Sequence, residues 1–428
     1  MYLTRFTIEN IRAIRKLEWE VPLQNAPGWH VILGDNGSGK SSVLRSIALA
    51  LVGHLGASAL RVDLARWPRH GPNGAVHLTL APEPRFDKSK EKQSQNRAIQ
   101  AGFQLAPMKF GSRTVTAFID HAPAWFSQGD RTGWFSASYG PFRRFTGGDK
   151  DYDQLFSSNP ELARHLSVFD ESVALTEGLK WLQQLKFKAL EKGPEGQLLR
   201  LLKKFINQPD FLPHHARLEE ITSDEVIFVD GNGHHVPVEE LSDGYRSILS
   251  MTFELIRQLV AAYGAKRVFD AKDPTRINVP GVVLIDEVDA HLHPTWQRNV
   301  GLWFRKHFPK MQFLVTTHSP LVCQAAEEGT VWRLPKPGTD EEARQVTGVE
   351  LDRLIYGNVL DAYGTGVFGE GITRSERAKE RLQRLAELNM KELRKGLTAA
   401  ERKEQATLRA SQPTAAMTVH ESEAWGRE

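Results

Sequence analysis

The eight residues from Gly34 to Ser41 read Gly-Asp-Asn-Gly-Ser-Gly-Lys-Ser, which fits the pattern G-x-x-x-x-G-K-[ST]. Glycines in this spacing let backbone N–H groups wrap the oxygens of a phosphate. The amine of Lys40 would reach the β- and γ-phosphates, and the hydroxyl of Ser41 would ligate Mg²⁺. These residue types predict a site for a nucleoside triphosphate and its magnesium ion.

The segments on either side of this loop have the composition that such a site requires. Trp29–Leu33 is a short apolar run suited to a buried strand, and Ser42–Leu51 has the apolar spacing of a helix. A helix that begins at the loop adds a favourable potential for an anion. A glycine-rich turn with a chance lysine is the alternative, and the strand and helix together argue against it.

Two carboxylates follow the apolar segment Val282–Ile285, which is a predicted strand. Asp286 is in a position to hold Mg²⁺, directly or through water. Glu287 is in a position to polarise a water molecule for in-line attack on a γ-phosphate. A buried strand that happens to end in surface acids is the alternative, and the upstream loop favours the catalytic interpretation.

The segment Leu241–Ser247 reads Leu-Ser-Asp-Gly-Tyr-Arg-Ser and opens a predicted helix that runs to about Tyr263. Alone it is a weak signal. Ser242 and Gly244 at a helix N-terminus would again offer N–H donors to an anion.

Two motifs follow the acid pair in the chain. Asp289 begins the string Asp-Ala-His-Leu-His-Pro, which precedes a predicted helix from Thr295 to about His307. The predicted strand Phe313–Thr317 ends at His318. A histidine at such a strand end can hydrogen-bond a γ-phosphate or orient the attacking water.

Composition excludes several classes of protein. The chain has 428 residues, of which 40% are hydrophobic, enough for one large or two modest domains. The single cysteine, Cys323, permits no intrachain disulfide and suits a reducing cytoplasm. No apolar run approaches the ~20 residues of a membrane-spanning helix, and the N-terminus lacks a signal-peptide core. A net charge of +3 does not by itself indicate nucleic acid.

Together the five motifs, in this order, resemble those of the ABC-class ATPases, in their soluble SMC/RecF/OLD-like branch. Glu9-Asn10-Ile11-Arg12 is similar to the Asn-Phe-Arg strand end of that branch. The resemblance implies an α/β fold: an ABC-type P-loop ATPase head with a mixed β-sheet, an inserted helical subdomain and a C-terminal helical extension.

The resemblance also implies a role for each motif residue. Glu287, His318 and Lys40 would be catalytic, and Asp286 would hold Mg²⁺ together with Ser41. Ser242 and Gly244 would contact the γ-phosphate of ATP held by a second protomer, with Asp289 at that interface. The loop residues that would hold the triphosphate are Gly34, Asp35, Asn36, Gly37, Ser38, Gly39, Lys40, Ser41 and Ser42.

The motifs and the composition between them predict a division of the chain into five parts. The predicted ranges are 1–150 for an N-terminal ATPase lobe, 151–224 for a helical insert, 225–334 for a C-terminal ATPase lobe, 335–410 for a helical extension for assembly or partner binding, and 411–428 for a disordered tail. Within these parts, Glu171–Lys192 is a predicted helix capped by Asp170. A surface loop is predicted at Glu83–Gln100, and a linker is predicted at Asp352–Asp361.

The sequence departs from the family at two places. Strand position puts the family's Q-loop glutamine near Ser138-Tyr139-Gly140, where none stands, and Gln128 lies a little upstream, so that role stays unassigned. The signature has Asp243 for the usual second glycine and Tyr245 for the usual Gln or Glu.

Chain length, the short insert, the strand end Tyr139–Arg144 and the basic tail resemble the PtuA-type ATPases of Septu antiphage systems. That likeness implies a homodimer or higher homo-oligomer, joined by ATP and working with a separate HNH nuclease of the PtuB type, without a nuclease site in this chain. A RecF-like DNA repair clamp and a slow-turnover nucleotide sensor or scaffold are the alternatives, and a transporter ATPase fits least.

Overall fold

The structure is a computed structural model. It describes residues 1–60, 62–89, 97–110, 113–123, 126, 131–146, 158–191, 193, 195–222, 224–269, 273–365, 367–368 and 375–410. The predicted disordered tail at 411–428 and Gln128 lie outside the described residues. No described helix is long and apolar enough to cross a membrane.

The described chain contains both strands and helices. The strands are β1 Tyr2–Ile11, β2 Ile14–Glu20, β3 Gly28–Leu33, β4 Gly74–Ala81, β5 Lys88–Ser89, β6 Ile99–Phe110, β7 Arg113–Asp120, β8 Arg131–Thr132, β9 Ser136–Tyr139, β10 Arg217–Ile221, β11 Val226–Val229, β12 His235–Pro237, β13 Gly281–Ile285, β14 Met311–Thr317, β15 Gly329–Arg333 and β16 Arg344–Gln345. The α-helices are α1 Lys40–Ala59, α2 Pro160–Ala163, α3 Leu166–Phe169, α4 Glu177–Leu190, α5 Glu195–Ile206, α6 Asp243–Tyr263, α7 Ala265–Val268, α8 Pro294–His307, α9 Pro320–Cys323, α10 Gly348–Ile355, α11 Val359–Tyr363, α12 Glu376–Lys395 and α13 Ala399–Ala410.

A six-stranded sheet in the order β16-β15-β3-β14-β13-β9 carries the predicted motifs. Its strands are parallel except at the β15–β16 edge, so the mixed β-sheet is confirmed. Every residue of β13 and β14 is buried, as expected where elements cover both faces of a parallel sheet. Because the strands run the same way, the residues that follow β3, β13 and β14 emerge at one edge.

A second, antiparallel sheet in the order β2-β1-β4-β6-β7 packs against α1. Phe6, Leu78 and Phe103 from its strands share one buried cluster with Leu44 and Ile47 of α1. The core therefore lies between this sheet and the helix that starts at the glycine loop.

The region between β9 and α6 contains α2 to α5 and a small antiparallel sheet, β10-β11-β12. The predicted helix start at Glu171 is wrong, because α4 begins at Glu177. The carboxylate of Asp170 accepts from the backbone N–H and the hydroxyl of Ser172 at 2.8 and 2.7 Å. This local turn competes with helix initiation.

Two other predictions of irregular structure are also wrong in part. The strand β6 begins at Ile99, inside the segment predicted as a surface loop. The segment predicted as a linker contains the second half of α10 and most of α11. In α10, Leu354 is buried while Val349 is exposed, so one apolar side chain anchors this short helix.

The chain separates into two compact units, Met1–Ala362 and Tyr363–Glu428. In the second unit, α12 and α13 pair through the buried side chains of Leu388, Leu397 and Leu408. Gly396 ends α12 with a φ of 79°, a left-handed conformation that favours glycine.

Candidate functional site

The loop between β3 and α1 has the backbone conformation of a cradle. Gly37 and Gly39 have φ values of 81° and 100°, in the left-handed region that side chains disfavour. A Cβ on Gly39 would also lie 3.2 Å from side-chain atoms of Ala13 and Ile14. Both positions therefore favour glycine, and a side chain at residue 39 would collide with the β1–β2 turn.

Lys40 is nearly buried at the first residue of α1. Its Nζ donates to the carbonyl oxygens of Gly34 and Asp35 at 2.9 and 3.1 Å. Burial lowers the pKa of Lys40, and the negative charges of Glu287 and Asp286 oppose that shift. The amine thus lies across the loop, close to the acids at the end of β13.

The polar groups of the loop fit a triphosphate with magnesium. The Oγ of Ser38 is buried and has no hydrogen-bond partner among the described residues, so it is free to meet a ligand oxygen. Ser41 and Ser42 lie half-buried in the first turn of α1. Mg²⁺ in such sites is usually bound by one or two protein oxygens together with water and substrate phosphates, which the oxygens of Ser41 and Asp286 could match.

Asp286 follows β13 and is buried. Its N–H donates to the carbonyl of Tyr139 at 2.8 Å, and its Oδ1 accepts from the hydroxyl of Thr316 at 2.5 Å. These bonds hold the carboxylate toward the edge where the glycine loop also emerges.

Glu287 has a φ of 44°, which is strained for a residue with a side chain. Its N–H donates to the Oγ1 of Thr316 at 2.8 Å, and its carbonyl accepts from Arg143 at 3.0 Å. The half-buried side chain is thereby held at a sharp turn, the kind of strain that accumulates at functional sites.

The side chain of Thr317, the last residue of β14, connects Asp289 to the turn that contains His318. The hydroxyl of Thr317 donates to Asp289 and accepts from the N–H of Ser319. The side chain of His318 is exposed, but partial desolvation and the charge of Lys40 lower its pKa below the ordinary value of 6.5. His318 is therefore neutral at physiological pH.

Electrostatic coupling identifies which predicted residues the fold brings together. Lys40 interacts with Asp35, Asp286, Glu287 and Asp289. His318 interacts with Lys40, Asp35, Glu287 and Asp289. The glycine loop, the acid pair, Asp289 and His318 thus lie close to one another.

Ser242 and Gly244 belong to a different surface feature, the N-terminus of α6. Ser242 is the exposed N-cap and its side chain makes no capping bond. A Cβ on Gly244 would lie 2.9 Å from the carbonyl of His291, so this position needs glycine. The hydroxyl of Tyr245 donates to the carbonyl of Pro213 at 2.9 Å, which explains the unusual tyrosine as an anchor for that segment.

Sequence reasoning missed Arg143, which follows β9. Its side chain is buried, and burial lowers its pKa to about 10, still well above neutrality. It donates to the hydroxyl of Ser247 on α6 and to the backbone around Glu287. An arginine just after the strand that pairs with β13 is the signal that could have identified it.

The residues Asn10 and Arg12, at the end of β1, have structural contacts. The Nδ2 of Asn10 donates to the carbonyl of His70 at 2.7 Å. The guanidinium of Arg12 lies 4.8 Å from the centroid of the Trp67 ring. Both side chains thus connect the β1–β2 turn to the segment that contains Trp67 and His70.

The class of protein follows from a family comparison. Residues 30–324 match the family described as "AAA domain, putative AbiEii toxin, Type IV TA system". This range contains every motif of the site, and the chain belongs to this family.

Particular relatives narrow the class. The chain is similar to the Septu protein PtuA of Bacillus mycoides (strain KBAB4), with 25% identity over 77% of this chain and 40% of the relative. It is also similar to the Retron Ec83 probable ATPase of Escherichia coli, with 35% identity over 29% of this chain and 22% of that protein. The chain thus spans less than half the length of these curated relatives. The resemblance to PtuA-type ATPases is confirmed.

A solved structure, an SMC head bound to the C-terminal winged-helix domain of ScpA, has 15% identity to the chain. The match covers 82% of this chain and 99% of the other, with a TM-score of 0.47.

Proposed function

We propose that this protein binds ATP with Mg²⁺, hydrolyses it in an ATP-sandwich dimer, and regulates a separate nuclease in antiphage defence. The observation that carries the proposal is the cluster of Lys40, Asp286, Glu287 and His318 around one glycine loop. Membership in the AAA family and the likeness to PtuA support an ATPase.

A cavity of about 170 Å³ beside Gly37 and Ser38 offers room for the nucleoside. It lies between the β1–β2 turn and the segment 334–343. We assign the nucleoside to this cavity and the phosphates to the loop, where Lys40 would exchange its two carbonyl acceptors for phosphate oxygens.

Each acid then has one task. Asp286 and Ser41 would hold Mg²⁺, which would supply charge neutralisation at the phosphates. Glu287 orients the attacking water, since its backbone fixes the side chain at the turn after β13. His318, neutral because its pKa is lowered, can donate or accept a hydrogen bond there.

Dimer formation would complete the site. The exposed Ser242 and the close-packed Gly244 leave the N-terminus of α6 free to meet an anion on another molecule. Two protomers that exchange this surface would meet with two-fold symmetry, and ATP would join them. Hydrolysis would then release the contact and couple the nucleotide to assembly.

Phosphate release from ATP tests this proposal. Glu287→Gln keeps the size of the side chain but removes its negative charge, and should lower kcat about 100-fold or more while ATP remains bound. The matched control is Glu191→Gln at the exposed end of α4, which should hydrolyse ATP like the wild type. Equal rates in Glu287→Gln and wild type would instead support a nucleotide sensor or scaffold.

The nuclease partner needs its own experiment. Tagged Glu287→Gln, expressed from the native locus and purified in ATP and Mg²⁺, should carry an HNH nuclease in stoichiometric amount. Recovery of the bare protein, or of protein with DNA alone, would contradict this part of the proposal.

DNA binding is the second candidate function, and α5 favours it. Arg200, Lys203 and Lys204 are exposed along this helix. If they contact phosphates, affinity for DNA should fall steeply with salt. Replacing the three residues with glutamine should then reduce the slope of that dependence.

A further inference from the structure

A single buried arginine connects two parts of the proposed ATPase site. Arg143 stands four residues beyond the end of β9, and its buried side chain contacts the turn after β13 and α6. The guanidinium donates to Ser247 Oγ at 2.9 Å, Gly140 O at 3.0 Å, Asp286 O at 2.8 Å, Glu287 O at 3.0 Å and Val288 O at 3.4 Å.

At one end, the contacts fix the backbone that carries the acid pair. Nη1 donates to the carbonyl of Asp286, and Nη2 donates to the carbonyl of Glu287. These two carbonyls belong to the peptide planes that flank the strained φ of Glu287. Arg143 therefore sets the direction in which the Glu287 side chain leaves the turn.

At the other end, Nε donates to the hydroxyl of Ser247. Ser247 is buried on α6, early in the helix whose N-terminus presents Ser242 and Gly244. Any displacement of α6 is thus transmitted to the guanidinium, because its planar donors have fixed relative directions.

We propose that Arg143 is a positioning residue that couples the placement of α6 to the backbone of Glu287. This inference rests on the proposed function, in which a second protomer contacts the N-terminus of α6. Contact at Ser242 and Gly244 then stabilises the α6 position that holds Glu287 in line for hydrolysis.

The substitution Arg143→Lys tests this role, because lysine retains the positive charge but lacks the planar guanidinium. Its ammonium is a compact group that cannot reach Ser247 and the carbonyl of Glu287 in the planar arrangement of a guanidinium. Arg143→Lys should therefore lower kcat about tenfold or more while the Kd for ATP changes less than about threefold. Ser247→Ala, which keeps the arginine, should lower kcat in the same direction by a smaller factor.

Amide hydrogen exchange supplies a readout that does not depend on hydrolysis. In Arg143→Lys and Ser247→Ala, peptides that span residues 286–292 should exchange about tenfold faster than in the wild type. Peptides from β14 should exchange at the wild-type rate. Arg144→Lys is the matched control, since Arg144 itself donates to the carbonyl of Glu171, and this substitution should change neither exchange nor kcat.

Two results would overturn the inference. One is wild-type kcat and wild-type exchange in both Arg143→Lys and Ser247→Ala. The other is a loss of kcat that matches only a loss of folded protein, with equal acceleration of exchange throughout β13, β14 and residues 286–292. If the wild type itself did not hydrolyse ATP, the proposed function would fail, whereas the exchange experiment would still decide whether Arg143 positions this turn.

Discussion

The backbone N–H of Glu287 donates to the Oγ1 of Thr316 at 2.8 Å, and the same hydroxyl donates to Asp286. One threonine on β14 thus fixes both acids at the end of β13. Because Thr316 is fully buried, no water can take over either bond.

Thr316→Val should therefore impair catalysis and stability together. Valine has the same shape but leaves the N–H of Glu287 without its acceptor, which costs about 1–3 kcal/mol of unfolding free energy. We expect kcat for ATP to fall about tenfold or more. Urea unfolding and phosphate release measure the two effects.

The control for this substitution is Thr252→Val on α6. The hydroxyl of Thr252 is also buried but has no hydrogen-bond partner among the described residues. Its removal should leave stability unchanged or raise it. A similar loss of activity in both variants would contradict a specific role of the two Thr316 hydrogen bonds in positioning the acids.

Lys40→Ala should abolish stabilisation by ATP. At an ATP concentration about 100 times Kd, a ligand that binds only the folded state adds about 2.7 kcal/mol to the wild type. The variant lacks the amine that reaches the phosphates, so we expect no rise in Tm with ATP and Mg²⁺ in a thermal unfolding scan. Lys204→Ala, on the exposed face of α5, should retain the full rise.

Because His30 of β3 is buried, the free energy of unfolding should depend on pH. His30 is fully buried, where its Nε2 donates to the carbonyl of Ala26 and its Nδ1 accepts from the hydroxyl of Thr330. Burial lowers the pKa of His30 to about 4. The unfolded chain, with an ordinary pKa near 6.5, therefore binds more protons between these values, and stability falls as pH drops from 6.5 to 4.

The size of this effect is about 3 kcal/mol over that window. Urea unfolding at a series of pH values measures it. His30→Gln should remove most of this change in unfolding free energy between pH 4 and 6.5, and it should also lower stability at pH 7. The control is His70→Gln on the exposed surface, which should have the same pH dependence of stability as the wild type. An identical pH dependence in His30→Gln and wild type would contradict the assignment.

The C-terminal hairpin should depend on one leucine. Leu388 is buried between α12 and α13, so Leu388→Ala should remove about 2–5 kcal/mol of hairpin stability. We expect a loss of helical circular dichroism and of higher assembly in the full chain, with ATP binding retained. Leu393→Ala is the control for folding, because that side chain is 83% exposed.

Local patterns predicted the parts of the site that are continuous in the chain. The strand expected at Trp29–Leu33 is observed as β3, Gly28–Leu33, and the helix after the loop begins at Lys40. Apolar runs and glycine spacing determine these elements through neighbouring residues alone, so one sequence is enough to identify them.

Contacts between distant residues were not predictable in the same way. Arg143 meets the carbonyl of Asp286, which lies 143 residues further along the chain. A backbone acceptor cannot be recognised from the sequence, since every residue supplies the same carbonyl. The start of α4 was misplaced for a related reason, because Asp170 has the composition of a helix cap but bonds to Ser172 in a turn.

Native mass spectrometry of Glu287→Gln tests the ATP-joined dimer most directly. With ATP and Mg²⁺ the variant should shift from a smaller species to one that contains paired protomers with two bound nucleotides per pair. Adding Ser242→Arg, which places a bulky side chain on the exposed N-terminus of α6, should block that shift while each protomer still binds ATP. A Glu287→Gln protein that binds ATP but never pairs, or that pairs equally with Ser242→Arg, would contradict the account.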